Sequence, residues 1–294
     1  MRILYIGCVQ SSYRELKILI DNQKDVVGVI TKSNSSFNSD FCDISPLAIE
    51  NDIPYLYVNG INDKDSIDFI RKCNPDVIYC FGWSQLIKKE ILDIPQYGVI
   101  GTHPSELPYN RGRHPIIWAL VLGLEKTAVS FFRMDENADT GEIIAQEIVP
   151  IYYEDYASDL YNRIEDVECK LIIKFTEELE NGKLTVKKQS MIKGNSWRKR
   201  SRCDGIIDWR MSSRAIYNLV RALSKPYPGA QFVYKDETII VWKVEEVYSD
   251  EYKNIEPGKV IKVVNNQDLY VKAYDNLIHI LECSENNIKE GDYL

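Results

Sequence analysis

Apolar residues in the first half of the chain fall in short, nearly continuous runs, separated by stretches of helical spacing. Residues 2–9, 26–31, 55–58, 77–81 and 99–102 are such runs and predict strands. Between them, 13–21, 67–72 and 84–92 carry apolar positions at helical spacing and predict helices, with Ser12 as N-cap of the first. Strands that are apolar throughout, alternating with helices, predict an α/β fold with a mostly parallel sheet covered on both faces. Ligands of such sheets bind at the carboxyl ends of the strands. His103 follows the run 99–102 and is expected at that edge.

Farther along, 156–180 places Leu160, Ile164, Val167, Leu171, Ile172 and Phe175 on one helical stripe, and Asn181–Gly182 is a helix stop. A polar, basic stretch at 187–202 reads as a linker and 212–223 as a helix. Short β-like runs at 231–234, 238–247, 258–264, 269–273 and 277–283, with polar turns between, predict a small barrel or sandwich. The expected division is a first domain over 1–186, a linker over 187–204 and a second domain over 205–294.

At 294 residues and 45% hydrophobic, the chain can bury a sizeable core. The first nine residues enter a β-branched run without the apolar core and cleavage site of a signal peptide, and read as the first strand. No run of eighteen apolar residues occurs, so no membrane span is expected. The seven cysteines are odd in number, scattered, and form no CxxC pair, which argues against a disulfide framework and a zinc site. A reducing cytoplasm and no metal are therefore expected. The net charge of −8 disfavours a large nucleic-acid partner, because counterion release from phosphates needs a basic surplus.

Candidate chemistry concentrates in 98–141, GVIGTHPSELPYNRGRHPIIWALVLGLEKTAVSFFRMDENADTG. One of only three histidines ends an apolar run, a Leu-Pro pair and an RGR turn follow, and an acidic loop places Asp139 before Gly141. The loop after the first strand is GCVQSS rather than GxGxxG, so a dinucleotide site has no motif support. The turn-rich stretch 33–45 is either a plain connector or a wall of an acceptor cleft, since it follows a strand's carboxyl end.

The order and spacing of 98–141 resemble the active-site segment of enzymes that use 10-formyltetrahydrofolate. The stretch 208–230, DWRMSSRAIYNLVRALSKPYPGA, is similar to the start of the C-terminal domain of methionyl-tRNA formyltransferases and related sugar N-formyltransferases. The resemblance implies a Rossmann-like catalytic domain followed by a small open, OB-like β-barrel. It also implies that His103 and Asp139 converge on the formyl group carried by the folate co-substrate. There an imidazole can move protons near neutral pH, while the carboxylate holds it or stabilises its cation. It places the folate near Phe81, Gly82 and Trp83, near Asp135 and Asn137 of the acidic loop, and near Arg111. One departure stands out: Gly101 occupies the position where the family usually carries an Asn that binds the oxyanion. Thr102 cannot replace that Asn directly, because alternate residues of a strand face opposite ways.

For the acceptor, the acidic balance favours a nucleotide-linked amino sugar (dTDP-, UDP- or CMP-linked) in surface-polysaccharide or related glycan synthesis. Ser39 and Asp40 would form a cleft wall, and Trp197, Arg198 and Arg200 a phosphate clamp, against the simpler reading of a solvated linker. Methionyl-tRNA is the alternative acceptor, and a folate-binding pseudoenzyme the rival from another class. A formyltetrahydrofolate hydrolase would not need the C-terminal barrel. A homodimer stays open.

Overall fold

The computed structural model describes residues 1–35, 39–190, 193–265 and 267–294. Parts of the predicted 33–45 loop (36–38) and of the 187–202 linker (191–192) lie outside the described residues. In chain order the elements are β1 (Ile3–Ile6), α1 (Gln10–Asp21), β2 (Val26–Thr31), α2 (Ser45–Glu50), β3 (Tyr55–Tyr57), α3 (Lys64–Cys73), β4 (Val77–Cys80), α4 (Lys89–Leu92) and β5 (Val99–His103). Next come β6 (Arg111–Gly112), α5 (Pro115–Val121), β7 (Lys126–Arg133), β8 (Ile143–Pro150), α6 (Ala157–Glu180) and β9 (Ser196–Trp197). A short 3-10 turn (Arg202–Gly205), α7 (Ser213–Leu223), β10 (Ala230–Tyr234), β11 (Glu237–Val247), β12 (Val260–Asn265), β13 (Asp268–Lys272) and β14 (Leu277–Cys283) complete the chain.

Two compact units result, and neither is contiguous in sequence. The first comprises Met1–Pro115, Thr127–Pro150 and Asn162–Trp197; the second comprises Ile116–Lys126, Ile151–Tyr161 and Arg198–Leu294. The stretch read as a linker is thereby split at Trp197/Arg198. Within its first part Lys187 pairs with Ile143, and β9 pairs with β6.

The first unit is built on a seven-stranded sheet in the order β3-β2-β1-β4-β5-β7-β8. Strands β1 to β5 pair parallel, and β7 runs antiparallel to β5. The mostly parallel α/β class is as expected, and the near-continuous apolar strands follow from burial on both faces. Alternation sorts their side chains. Leu4, Ile6, Ile78 and Cys80 pack with Ile67 and Ile70 of α3. On the opposite face Tyr5, Tyr79, Phe81 and Phe131 form an aromatic cluster with Phe175 of α6, with centroids 4.9–5.8 Å apart. Helix α6 stops as predicted: Gly182 is left-handed (φ 63°), and Lys183 N–H reaches the Glu178 carbonyl at 2.8 Å.

Two local expectations are corrected. Helix α1 begins at Gln10, so Ser12 lies inside its first turn rather than at its N-cap. Its hydroxyl accepts the Val9 N–H at 3.3 Å and donates to the Phe81 carbonyl at 2.9 Å. The predicted helix 84–92 shrinks to Lys89–Leu92. Cross-chain bonds hold the rest as loop: Gln85 bonds Ile61 N–H and the Asn59 carbonyl, and Asn62 bonds Lys88 N–H and the Leu86 carbonyl. These bonds to a distant segment outweigh the local periodicity.

The second unit is a five-stranded antiparallel sheet, β10-β11-β14-β13-β12, forming the small open barrel domain. Helix α7 packs on β11, β14 and β10 through a buried stripe that includes Ile216, Leu219, Val220 and Leu223. Ser212 caps it, accepting the Ala215 N–H at 3.2 Å.

Candidate functional site

In the sheet order, β1 is followed by β2 on one side and β4 lies on the other, so the winding reverses between β1 and β4. The crevice at the carboxyl ends of strands at such a switch point is where these sheets bind ligands. The loops after β1, β4 and β5 all reach this edge. Gly82 is required there. It is left-handed (φ 67°), and a Cβ on it would lie 2.2 Å from Val9 Cγ2. Beside it Trp83 is half-buried, its Nε1 is buried with no hydrogen-bond partner, and Lys32 Nζ stands 5.0 Å from its ring centroid. Phe81 departs from the expectation of a ligand contact: its ring is fully buried in the aromatic cluster and its carbonyl is taken by Ser12. Gly82 and Trp83 follow it in the loop and are partly exposed.

His103 ends β5 and is 5% exposed. Its Nε2 lies 2.9 Å from the Asn110 carbonyl. A carbonyl can only accept, so Nε2 carries the proton and the basic lone pair is on Nδ1. Nδ1 faces Asp139, with Oδ2 at 3.8 Å. Asp139 is itself held: Gly112 N–H donates to Oδ2 at 2.9 Å, and its backbone is left-handed (φ 59°). Gly141 follows at a place where a Cβ would lie 1.6 Å from the Arg133 carbonyl, so no larger residue fits. The acidic loop is ordered from within by Asp135, whose Oδ1 accepts Asn137 N–H at 2.8 Å and the Thr140 hydroxyl at 2.7 Å. Asn137 is exposed.

Arg111, expected on the folate, instead braces this loop. Its Nε donates to the Asp139 carbonyl at 3.1 Å, and its Nη2 to Gln189 Oε1 at 2.8 Å. Nε and Nη2 are thereby engaged by protein acceptors. Trp197 stands in the same unit, opposite Gly112 in the β6–β9 pair. Gln189, Asn195 and Asn110 complete the framework and carry no local signal, since each acts through bonds to residues distant in sequence or through its backbone carbonyl.

Gly101 and His103 face one way from β5 and Thr102 the other, as alternation requires. A Cβ on Gly101 would lie 3.0 Å from Met134 Cγ and 3.1 Å from Phe132 Cζ, so these side chains fill the place of a larger residue. Thr102 donates to Glu168 Oε1 at 3.2 Å on the far face. There Glu15, Glu165 and Glu168 are buried together. Burial pushes the Glu15 carboxyl up to about 8, and burial next to Glu15 pushes Glu168 up as well. Arg14 pairs with Glu165 at 2.5 Å, and Tyr5 donates to Glu15 at 2.7 Å.

Of the acceptor candidates, Ser39 is exposed and Asp40 docks on the start of α1, its carbonyl accepting Gln10 N–H at 3.0 Å. Arg198 and Arg200 belong to the second unit. Both stack on Trp118, 5.2 and 4.8 Å from its centroid, and Trp118 Nε1 donates to the Arg198 carbonyl at 3.0 Å. Arg198 forms a bidentate pair with Asp204, which holds that carboxyl well below the usual range. Burial lowers the pKa of Arg200. Among the described residues no cluster of three His, Cys, Asp or Glu could hold a metal, and no helix is long and apolar enough to cross a membrane. All seven cysteines are free, with Cys8 and Cys80 in the core.

A buried imidazole faces a fixed carboxylate at the edge of a doubly wound sheet, and a small barrel follows in the chain. Residues 3–176 match the formyl transferase family and 199–292 the formyl transferase C-terminal domain. The chain belongs to the formyl transferase family, enzymes that move formyl groups. It is 31% identical over 301 residues to the methionyl-tRNA formyltransferase of Clostridioides difficile, covering 100% of this chain and 96% of that protein. With the bifunctional polymyxin resistance protein ArnA of Wigglesworthia glossinidia brevipalpis it shares 31% identity, over 89% of this chain and 40% of that protein. Among solved structures it is similar to WlaRD, a sugar 3N-formyl transferase crystallised with dTDP and 5-N-formyl-THF. The TM-score is 0.71 at 18% identity, over 95% of this chain and 97% of that one. The N-formyltransferase of Helicobacter canadensis, crystallised with folinic acid and dTDP-3-aminofucose, matches with a TM-score of 0.70 at 19% identity, over 95% of this chain and 98% of that one.

Proposed function

We propose that the protein transfers the formyl group of 10-formyltetrahydrofolate to the amino group of a nucleotide-linked amino sugar. The observation that carries the transfer chemistry is the Nδ1 lone pair of His103 facing the Asp139 carboxylate at 3.8 Å. The folate supplies an electrophilic formyl carbon. The amine attacks that carbon, His103 Nδ1 takes the proton the amine must lose, and Asp139 stabilises the resulting imidazolium. The bond from the formyl carbon to N10 then breaks as the imidazolium returns the proton to N10, releasing tetrahydrofolate and the formamide. Two features of the edge support a flat heterocycle as its ligand. Trp83 and Met134 are partly buried against the core there, and the buried, unpartnered Trp83 Nε1 needs an acceptor. Trp83, Gly82 and the loop from Asp135 to Asp139 are the residues assigned to hold the folate.

For the acceptor, the net charge of −8 and the two sugar N-formyltransferases of like fold support a sugar nucleotide. Arg198, paired with Asp204, and Arg200 both stack on Trp118 within the second unit. Trp197, Ser39 and Asp40 are assigned to the acceptor. Formylation of methionyl-tRNA is the second reading, favoured by the methionyl-tRNA formyltransferases that match along nearly the whole chain. The test offers initiator methionyl-tRNA and dTDP-, UDP- and CMP-linked amino sugars with 10-formyltetrahydrofolate at two salt concentrations, reading product mass for one added formyl group. A formylated sugar nucleotide is expected, with weak salt dependence. Efficient formylation of the tRNA alone, strongly suppressed by salt, would overturn the assignment, because tRNA binding releases many counterions.

A further inference from the structure

Two polar side chains of the stretch 187–197 reach the His103–Asp139 pair by way of the backbone. Asn195 Oδ1 accepts the Asn110 N–H at 2.9 Å, and the Asn195 carbonyl accepts the Arg111 N–H at 3.1 Å. Asn110, thus pinned on its N–H side, offers its carbonyl to His103 Nε2 at 2.9 Å. Gln189 Nε2 donates to the carbonyls of Asp139 and Gly141 at 2.9 and 2.8 Å, while its Oε1 accepts from Arg111. Asn110 and Asp139 both have left-handed backbones, φ 61° and 59°. Asn and Asp reach that conformation more readily than other non-glycine residues, and bonds from their surroundings select it. Asn195 supplies such a bond at Asn110, and Gln189 does so at Asp139 beside Arg111 and the Gly112 N–H.

We propose that Gln189 and Asn195 are positioning residues for the His103–Asp139 pair, Asn195 setting the imidazole tautomer through the Asn110 carbonyl and Gln189 setting the carboxylate through the Asp139 backbone. If Asn110 drifts, the proton divides between the two ring nitrogens and Nδ1 is no longer always the base. If the backbone at 139 drifts, the carboxylate leaves the imidazole. Only the kinetic part of this inference rests on the formyl-transfer reading; the tautomer is a property of the free protein.

The first measurement therefore uses no substrate: long-range proton–nitrogen spectra of protein labelled with nitrogen-15 histidine, at a pH where the ring is neutral. Wild type should show His103 with its proton on Nε2. Asn195→Leu should give mixed tautomers, and Asn195→Asp, which keeps the acceptor oxygen, should restore the wild-type signature. Asn195→Ser serves if the Leu variant does not fold. An unchanged His103 signature in Asn195→Leu or Asn195→Ser would overturn the role of Asn195. The second measurement is kinetic, with 10-formyltetrahydrofolate and the sugar nucleotide that gives turnover. Gln189→Met should lower kcat at least tenfold with KM changed less than threefold. Gln189→Glu should be as slow, because it keeps the Arg111 partner but loses both donors to Asp139 and Gly141. In an Asp139→Asn background Gln189→Met should cost less than threefold more. Wild-type kcat in Gln189→Glu, or losses that multiply in the double variant, would overturn the role of Gln189. If no acceptor turns over, the formyl-transfer reading falls while the tautomer measurement still decides for or against Asn195.

Discussion

Asp139→Asn isolates the charge at the centre of the site. Asn tolerates the left-handed backbone that Asp139 adopts (φ 59°), and its amide oxygen can still accept the Gly112 N–H. Only the negative charge facing His103 Nδ1 at 3.8 Å is lost. Two full charges about 4 Å apart attract by ~4 kcal/mol at an effective dielectric of about 20. That figure is an upper bound, since the Asp139 side chain is 17% exposed and partly screened by water. The attraction exists only once His103 has taken a proton, so its loss falls on the rate. At about 1.4 kcal/mol per decade, a loss of ~2–4 kcal/mol lowers kcat by roughly 30- to 1,000-fold. Michaelis constants should change little, and the melting temperature should stay within a few degrees. The assay is steady-state formyl transfer, read by tetrahydrofolate release and product mass, beside a thermal melt. A kcat within threefold of wild type, in a variant with unchanged melting, would refute a proton-bearing role for the pair.

Gly101→Asn should not restore a more active site. Its Cβ would press on Met134 and Phe132 at 3.0–3.1 Å, so a loss of about 1–3 kcal/mol of stability is expected by thermal denaturation. A tenfold rise in initial rate would show instead that the site lacks a donor there. Stability should also depend on pH through the buried glutamates. Burial raises the folded Glu15 carboxyl to about 8, so the folded chain binds the proton that the unfolded chain releases above about 4.3. The stability linked to this proton is full below the unfolded value and is lost as pH rises toward 8, at up to about 1.4 kcal/mol per pH unit. Glu15→Gln, which can still accept from the Tyr5 hydroxyl, should flatten that slope and raise the melting temperature most near pH 8. Identical pH profiles for wild type and variant would refute the buried proton.

Much of the architecture was legible because it is written in local patterns. The fully apolar strands announce a sheet buried on two faces, and the stripe from Leu160 to Phe175 announces α6. The place of His103 at the sheet edge was legible too, since that edge is defined by where an apolar run stops, whereas its pairing with Asp139 came from the resemblance to the formyltransferases. What the pattern could not carry were bonds between distant segments. Residues 84–88 have helical spacing, yet Gln85 and Asn62 bind backbone across the gap and hold a loop. Phe81 sits next to the ligand edge in sequence, but strand alternation turns its ring into the core. Arg111 gives no local sign that its Nε and Nη2 are engaged by Asp139 and Gln189. The basic cluster after Trp197 reads as solvated until Trp118, roughly eighty residues earlier, places its ring beneath two guanidiniums. Periodicity records whether each position meets water or protein. Which protein group it meets is decided by tertiary contacts, and the imidazole tautomer and carboxylate placement at this site are set by such contacts from Gln189 and Asn195.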